Sequence, residues 1–328
     1  MQWINNAPQH PTYTDDQLES YLQRIGYSQS IPSKSSPLHY VRQSIKDNEL
    51  DALSTLQKLH LAAIPWGNSA LHYSQHHTIS LHPQSLYEKM VERRLDGYCM
   101  ENTGFFLVVL RSLGYRVYAT GGRVSQAAAT GVDNGLYVSL GHMILIVIID
   151  GAKYMVDVGF GNNNPTAPLP LQEGATATCI RPSEMRLIRD SIIEFTDPTQ
   201  RVWIYQTRYN PESNWLPNYC FSDVEFLPQD FGVMNFSTSQ KRTSWFTQTV
   251  VCTRMVLDQT TKEVIGQCIL SGKEVKRRVH GQSEILQVLR TEDDRVHALA
   301  EHFDMHLYET EIQGIRGMVS ELKSGPAE

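Results

Sequence analysis

The stretch HMILIVIIDGAKYMVDVGFG (142–161) joins two segments rich in β-branched and aromatic residues through the dipeptide Asp150-Gly151. Such a dipeptide between β-rich segments predicts an antiparallel hairpin with a two-residue turn. His142 lies eight residues before Asp150, and Asp157 lies six residues after Gly151. We therefore expect the two side chains at similar depth on paired strands, where they can meet.

Residues before the hairpin favour helices. Thr14 and Gln17 form a capping box ahead of apolar residues at helical spacing, and Gly26 follows as a stop signal. Three further periodic segments predict helices: 48–64, 83–95, and a last one that begins at Cys99 and ends near Gly114.

After Gly114 the pattern changes to segments typical of strands, separated by Gly, Asn, Asp and Pro. Besides the hairpin, strands are predicted over 115–124, 185–195, 201–209, 219–227, 243–257, 263–270 and 273–279, and a helix over 283–303. Two stretches without helix or strand periodicity, 125–135 and 162–178, are predicted as loops. Long loops inside a compact domain are usually functional or disordered.

A chain of 328 residues exceeds the roughly 250 to 300 residues at which single cores stop growing, so we expect more than one domain. The pattern predicts an α+β multidomain protein. Its parts are a helical domain over 1–115, a β-rich domain over 116–228 and an α/β segment over 229–328.

Composition excludes several classes of function. A net charge of −6 leaves no basic face for nucleic acid. The longest apolar run, 143–149, is shorter than the roughly 20 residues of a membrane span, and residues 1–11 lack the pattern of a signal peptide. We expect a cytoplasmic protein without a nucleic-acid or membrane partner.

The five cysteines are odd in number and form no C-x-x-C motif, so neither a disulfide framework nor a metal site is predicted. By residue type alone, each is a small buried hydrophobe. The histidine-rich stretch 72–82 has no carboxylate or thiol at ligand spacing, and we interpret it as a solvated loop.

Cys99 differs from the other cysteines because it begins a predicted helix directly after Gly97 and Tyr98. Only a thiolate attacks well, and the free amides at a helix N-terminus lower the pKa of a cysteine. His142 opens the most apolar strand, and Asp157 is costly to bury among apolar residues without a partner. Each residue alone favours a structural role, but together Cys99, His142 and Asp157 indicate a catalytic triad.

Five ordered strings carry a family resemblance: YLQRIGY (21–27), LHLAAIPWGN (59–68), YEKMVERRLDGYCMEN (87–102), the hairpin (142–161) and PLPLQEG (168–174). Together they resemble the arylamine N-acetyltransferases. The resemblance implies a helical bundle, a β-barrel and an α/β lid, with a core related to cysteine proteases and transglutaminases. It also implies ping-pong transfer of an acetyl group from acetyl-CoA, through a Cys99 thioester, to arylamines, arylhydrazines or arylhydroxylamines.

The resemblance also implies contact residues, carried over position by position. Phe160, Gly141 and Gly159 match positions beside the substrate, although Phe160 is equally typical of a core aromatic residue. Positions that contact coenzyme A are matched by Ser139, Gly161, Ser237 and Thr243.

The chain departs from the family pattern at two positions. Gly67 stands where the family usually has Glu, and Leu95 stands where it usually has Arg. The resemblance implies that these two charges pair in the family, so losing both avoids a stranded charge. We hypothesise that Arg94 or Asp96 holds the entry to the cysteine helix instead.

The acyl donor and the reaction class have alternatives. Acetyl-CoA is the first choice, but some fungal relatives use malonyl-CoA, whose carboxylate would need donors such as Arg123, Arg93 or Arg94. A cysteine hydrolase or transglutaminase-like enzyme would share the triad, and a non-catalytic ligand-binding protein is the third interpretation.

Overall fold

The computed structural model describes residues 10–27 and 36–323 of the chain. Residues 1–9, on which most of the signal-peptide prediction depends, lie outside this range. Within the described residues, no helix combines the length and apolarity needed to cross a membrane.

The N-terminal part is helical. It contains α1 (Asp15–Arg24), α2 (Pro37–Asp47), α3 (Glu49–Ala63), the short strand β1 (Trp66–Gly67), α4 (Pro83–Tyr87), which continues as a π-helical turn (Glu88–Glu92), and α5 (Cys99–Ser112). Thr14 and Gln17 form the predicted capping box, and Asn48 caps α3. Helix α2 was not predicted, although Ser36 followed by Pro37 is a helix-start signal.

An eight-stranded antiparallel sheet follows. Its elements are β2 (Arg116–Ser125), the short helix α6 (Gln126–Thr130), β3 (Tyr137–Ile149), β4 (Ala152–Val156), β5 (Leu169–Pro170), β6 (Thr176–Thr178), β7 (Glu184–Asp190), β8 (Val202–Arg208) and β9 (Leu216–Phe221). The strand order is β5-β4-β3-β2-β9-β8-β7-β6, and β5 also lies against β7, so the sheet is nearly closed.

The hairpin at the centre of this sheet has the predicted turn. Asp150 and Gly151 have φ values of 49° and 82°, as a turn with two left-handed residues requires. Strand β3 begins five residues earlier than predicted, at Tyr137, and β4 ends at Val156. The two stretches predicted as loops contain α6, β5 and β6.

The C-terminal part is built on a five-stranded sheet with the order β1-β10-β11-β12-β13. Its elements are α7 (Pro228–Gln240), α8 (Trp245–Gln248), β10 (Val251–Leu257), β11 (Val264–Ser271), β12 (Glu274–Val279), β13 (Gln282–Val288), α9 (Glu292–Phe303) and α10 (Glu309–Ile312). The helix predicted over 283–303 is wrong in its first part, because 282–288 pairs with β12 and the Thr291–Asp294 capping box starts the helix later. Helix α7 was not predicted.

The sides of β3 separate two cores. Leu145 and Val147 pack with the helices, whereas Ile144 and Ile146 face the interior of the eight-stranded sheet. Because side chains alternate along a strand, His142 belongs to the interior-facing set. Its ring packs on Tyr219 of β9, with centroids 4.7 Å apart.

Candidate active site

Helix α5 begins at Cys99, and its entry is held by charged side chains. Oε2 of Glu101 accepts a hydrogen bond from the amide of Tyr98 at 3.1 Å, while Oε1 lies 2.6 Å from Nζ of Lys89. Position 97 has no room for a side chain, because a Cβ there would collide with Met90 and Glu101. The sulfur of Cys99 is therefore presented by a fixed backbone.

A buried amide ties this helix to the segment before β1. Nδ2 of Asn102 donates to the carbonyl oxygens of Pro65 and Gly97 at 3.1 and 2.7 Å, and its Oδ1 lies 3.3 Å from Nε2 of His60. Burial lowers the pKa of His60 to about 3, so this imidazole is neutral.

His142 and Asp157 form a buried hydrogen bond. Nε2 of His142 donates to Oδ2 of Asp157 at 2.7 Å, and the two side chains are 2% and 0% exposed. Leu145 pairs with Val156, the last paired residue of β4, and Asp157 follows it. The bond therefore runs diagonally from just beyond the ladder, not between directly opposed residues. Oδ1 of Asp157 accepts from the amide of Gly159 at 2.8 Å.

The charge of Asp157 stabilises the protonated form of His142. Burial opposes the imidazolium, but the carboxylate of Asp157 and hydrogen bonding to Asp157 and Cys99 outweigh it and raise the pKa of His142. Since Nε2 is bonded to Asp157, Nδ1 is the nitrogen left for a hydrogen bond with Cys99.

The Asp157–Gly159 segment packs directly on Cys99. A Cβ at position 159 would lie 2.6 Å from Oγ1 of Thr103 and 2.7 Å from Cα of Cys99, so only glycine fits. On the other side, the thiol of Cys99 donates to the carbonyl oxygen of Gly141 at 3.4 Å. The structure therefore brings Cys99, His142 and Asp157 together, with Gly141 and Gly159 between them.

The other four cysteines lie in different surroundings. All are buried free thiols. Burial raises the pKa of Cys179 to about 11 and that of Cys220 to about 12, and it also raises the pKa of Cys252 and of Cys268. The charged form of these thiols is therefore disfavoured, whereas Cys99 lies within hydrogen-bonding reach of His142.

Phe160 forms an aromatic wall beside the histidine. Its half-buried ring lies 5.2 Å from that of His142 and 4.9 Å from that of Tyr219, measured between centroids. The ring packs against the core inside the sheet, as expected for a core aromatic residue, and its contact with a substrate stays a prediction.

The residues predicted to contact coenzyme A are not gathered at one point. Ser139 is exposed on β3, Ser237 is exposed on α7, and Thr243 is exposed between α7 and α8. Helix α7 lies beside β3, because Oγ1 of Thr238 is 3.7 Å from the Cβ that Gly141 would carry. Gly161, with φ of 82°, packs against the ring of Trp66.

Several supporting residues were missed by sequence reasoning. Asn164 donates to the carbonyl oxygen of Asp157 at 2.8 Å and accepts from the amide of Phe160 at 2.7 Å, and Gln57 of α3 donates to the same Asp157 oxygen at 3.1 Å. In the sequence, only the position of Asn164 shortly after Gly159-Phe160-Gly161 indicates a role near the site. Nothing in the sequence indicates such a role for Gln57 or Tyr219.

Asp96 accounts for the departure from the family pattern. Its buried carboxylate accepts hydrogen bonds from the amide of Ser69, at 3.1 Å, and from the Ser69 hydroxyl. It fills the space beside Gly67, and Leu95 packs in an apolar cluster with Tyr73. Arg94 is engaged elsewhere, 2.9 Å from Asp304, so of the two hypothesised residues Asp96 lies at the helix entry.

The three arginines considered for a malonyl group do not lie at the thiol. Arg93 is bonded to Glu311 at 2.9 Å, and Arg94 to Asp304. Arg123 is paired with Cys220, whose neighbour Tyr219 faces His142, so by strand alternation Arg123 lies on the opposite face of the sheet.

The histidine-rich stretch is only partly solvated. His76 and His82 are exposed, but His72 is buried and bonded to Ser320 and to the carbonyl oxygen of Phe246. The solvated-loop interpretation is thus wrong for His72. Within residues 10–27 and 36–323, no group of three or more His, Cys, Asp or Glu side chains is placed to hold a metal ion.

Comparison with known proteins identifies the class. A family model described as N-acetyltransferase matches residues 49–312. The N-malonyltransferase FDB2 of Fusarium pseudograminearum is 36% identical over 330 residues, covering 95% of this chain and 94% of that protein. The arylamine N-acetyltransferase / N-hydroxyarylamine O-acetyltransferase of Salmonella typhimurium is 31% identical over 210 residues, covering 64% of this chain and 68% of that protein.

Solved structures agree with this assignment. Mycobacterium marinum arylamine N-acetyltransferase in complex with CoA aligns with a TM-score of 0.72 and 26% identity, over 93% of this chain and 99% of that one. The fold is that of the arylamine N-acetyltransferases, of mixed helix and sheet. The chain belongs to the arylamine N-acetyltransferase family, and it is an acyl-CoA-dependent N-acyltransferase of that family.

Proposed function

We propose that Cys99 carries the acyl group in a ping-pong reaction, with His142 as the base and Asp157 as the residue that orients it. The observation that carries this proposal is the buried His142–Asp157 hydrogen bond next to the one cysteine that begins a helix. A helix N-terminus favours negative charge, and a stabilised imidazolium favours the thiolate beside it.

The first half of the reaction forms the acyl-enzyme. His142 takes the proton of Cys99, and the thiolate attacks the carbonyl carbon of acyl-CoA. The carbon–sulfur bond to CoA breaks, and the leaving thiolate receives the proton held on Nδ1 of His142. In the second half, an amine attacks the Cys99 thioester, His142 accepts the proton that the amine loses, and Cys99 leaves as the thiol.

For the acyl donor we infer malonyl-CoA, with acetyl-CoA as the competing candidate. The inference is supported by the relative FDB2, an N-malonyltransferase, which matches 95% of this chain, whereas the Salmonella acetyltransferase matches 64%. Because Arg93, Arg94 and Arg123 are directed elsewhere, the malonyl carboxylate would be received by hydroxyl and backbone donors. We propose the hydroxyl of Thr238, which lies beside Gly141, as one such donor.

For the acceptor we propose an aromatic amine or hydrazine that stacks beside Phe160. The half-buried Phe160 ring borders the space next to His142, where an aromatic body would gain offset-stacked or edge-to-face contact. Ser139, Gly161, Ser237 and Thr243 remain the proposed contacts to coenzyme A, and Ser139 and Ser237 are exposed on β3 and α7, the two elements that meet at Gly141.

The experiment that tests the acyl carrier is intact-protein mass spectrometry with acyl-CoA and no amine. We expect one added acyl group in the wild type and in Cys179→Ser, and none in Cys99→Ser. Acylation that persists in Cys99→Ser contradicts the proposal. The donor is tested by comparing acetyl-, propionyl- and malonyl-CoA against one arylamine, and higher kcat/KM with acetyl-CoA than with malonyl-CoA contradicts the malonyl inference.

Measuring CoA release with and without an amine distinguishes a transferase from a hydrolase. A transferase releases CoA in one burst and then stops until an amine is added. Continuous release of CoA without amine, at the rate seen with amine, would point to hydrolysis instead.

A further inference from the structure

A pocket apart from Cys99 lies where the end of α1, helix α3 and β10 meet. Its volume is about 330 Å³, and none of the residues that line it belongs to the candidate active site. Three lining side chains are cationic, namely Arg24, Arg254 and Lys262, and none is acidic. We call it the α1/β10 pocket.

Arg24 is held away from water at this pocket. Its side chain is 5% exposed, its Nε donates to the carbonyl oxygen of Met90 at 3.4 Å, and its Nη1 lies 3.6 Å from Oδ2 of Asp304. Its Nη2 is buried and has no hydrogen-bond partner within the described part of the chain. An unsatisfied buried donor is destabilising, and more so when it is charged.

The charges around Arg24 are not balanced. Its single carboxylate neighbour, Asp304, is shared with Arg94, whose Nη2 lies closer, at 2.9 Å. Burial, together with the charges of Arg94 and Arg254, lowers the pKa of Arg24 to about 10, although Asp304 acts in the opposite direction. Within the described residues, neither Arg254 nor Lys262 forms an ion pair with a carboxylate. The cluster is therefore short of negative charge.

Apart from Gln259, the rest of the pocket wall is apolar. Leu59 and the alanines of α3 form one side, and Met255 and Leu257 of β10 form the other. Guanidinium groups recognise phosphate and carboxylate through paired hydrogen bonds, whereas an apolar wall favours a carbon body. The lining thus has two halves of different chemistry.

We propose that the α1/β10 pocket binds a small organic anion, with its phosphate or carboxylate group among Arg24, Arg254 and Lys262 and its apolar body against α3 and β10. The ligand supplies the negative charge that Asp304 alone does not. This site is additional to acyl transfer and does not depend on which acyl donor Cys99 accepts.

The test is ligand binding by calorimetry and thermal shift at constant ionic strength, with phenyl phosphate and benzoate as probes and benzyl alcohol as the neutral control. A ligand that binds only the folded state raises Tm. We expect saturable binding of at least one anion and none of benzyl alcohol. The comparison of the two anions decides between phosphate and carboxylate, and inorganic phosphate binding as tightly as phenyl phosphate overturns the role of the apolar wall.

Matched variants locate the binding. Arg254→Gln and Lys262→Gln should each raise the Kd of the anion about tenfold, because each variant loses one charge-assisted hydrogen bond. Arg277→Gln removes the same charge from β12, outside the pocket, and should bind as the wild type does. Arg24 is left intact because its contacts with Met90 and Asp304 hold α1.

Three results overturn the proposal. They are no binding of either anion, binding that Arg254→Gln and Lys262→Gln leave unchanged, and a parallel rise in KM for acyl-CoA in both variants. The last result would make the pocket part of the donor site rather than a separate one.

Discussion

A Cβ atom on Gly67 would collide with Oδ2 of Asp96, so the glycine and the buried carboxylate occupy a single space. The same carboxylate accepts two hydrogen bonds from Ser69. A carboxylate bonded to hydroxyl and amide groups thus fills the space beside position 67. Burial raises the pKa of Asp96, and Lys89 and Ser69 act against that rise.

Gly67→Ala should destabilise the protein by about 1–3 kcal/mol, because the new methyl group overlaps Asp96 and lies 2.7 Å from the carbonyl oxygen of Val251. Urea denaturation measures the loss. The cost should be smaller in an Asp96→Ala background, where one of the two overlaps is gone. Gly232→Ala, at a position with open space, is the control and should not destabilise. Equal losses of unfolding free energy in the two backgrounds would show that Gly67 is not required to make room for Asp96.

Leu95→Arg should lower stability, since Leu95 is buried in an apolar cluster and an arginine there would meet no glutamate at position 67. The same urea denaturation applies. A strongly stabilising effect of this single change would contradict the paired loss of Glu and Arg.

Stability should depend on pH through His142. Because the pKa of His142 is raised in the folded state, its contribution is fully present below the unfolded value of about 6.5 and is lost as the pH rises through the folded value. The free-energy difference between wild type and His142→Gln should therefore shrink from pH 6 upward. A difference that grows with pH over this range would contradict the imidazolium–carboxylate assignment.

Iodoacetamide should alkylate Cys99 before the other cysteines. Burial raises the pKa of Cys179, Cys220, Cys252 and Cys268, so they offer little thiolate at neutral pH. Peptide mapping over time measures each rate, and His142→Gln should slow the labelling of Cys99 alone. Uniform labelling of all five in the folded protein would remove the case for an activated thiol.

Gly159→Ala should reduce the acylation rate at least about tenfold, because the added methyl group pushes the Asp157–Gly159 segment away from Cys99 and a small misplacement of catalytic groups is costly. Gly104→Ala in α5 is the matched control, since its Cβ would meet neighbours only at 3.8 and 3.9 Å. Single-turnover release of CoA compares the two. Wild-type acylation in Gly159→Ala would mean that this contact does not position the site.

Local chemistry explains which elements were predictable. The Asp150-Gly151 turn needs two left-handed residues, and the α1 capping box needs only neighbours in sequence, so both follow from a few adjacent residues. The apolar residues of 282–288 also fit helical spacing and so predict a helix, and only pairing with β12 selects the extended form. The sequence did not predict helix α7, because its apolar residues are not concentrated on one face of the helix. Packing of Phe231 and Met234 on the core stabilises this helix in the folded protein.

For the candidate site, the sequence by itself determined the residue types and their settings: a cysteine that begins a helix, a histidine on an apolar strand and an aspartate across a hairpin turn. Tertiary structure alone decided how they meet. The diagonal His142–Asp157 bond, the contact of Gly159 with Cys99 and the filling of the space beside Gly67 by Asp96 join residues that are 15 to 60 positions apart. The physical reason is that turn and cap preferences act between neighbours in the chain, whereas these contacts exist only once the cores on both sides of β3 have packed.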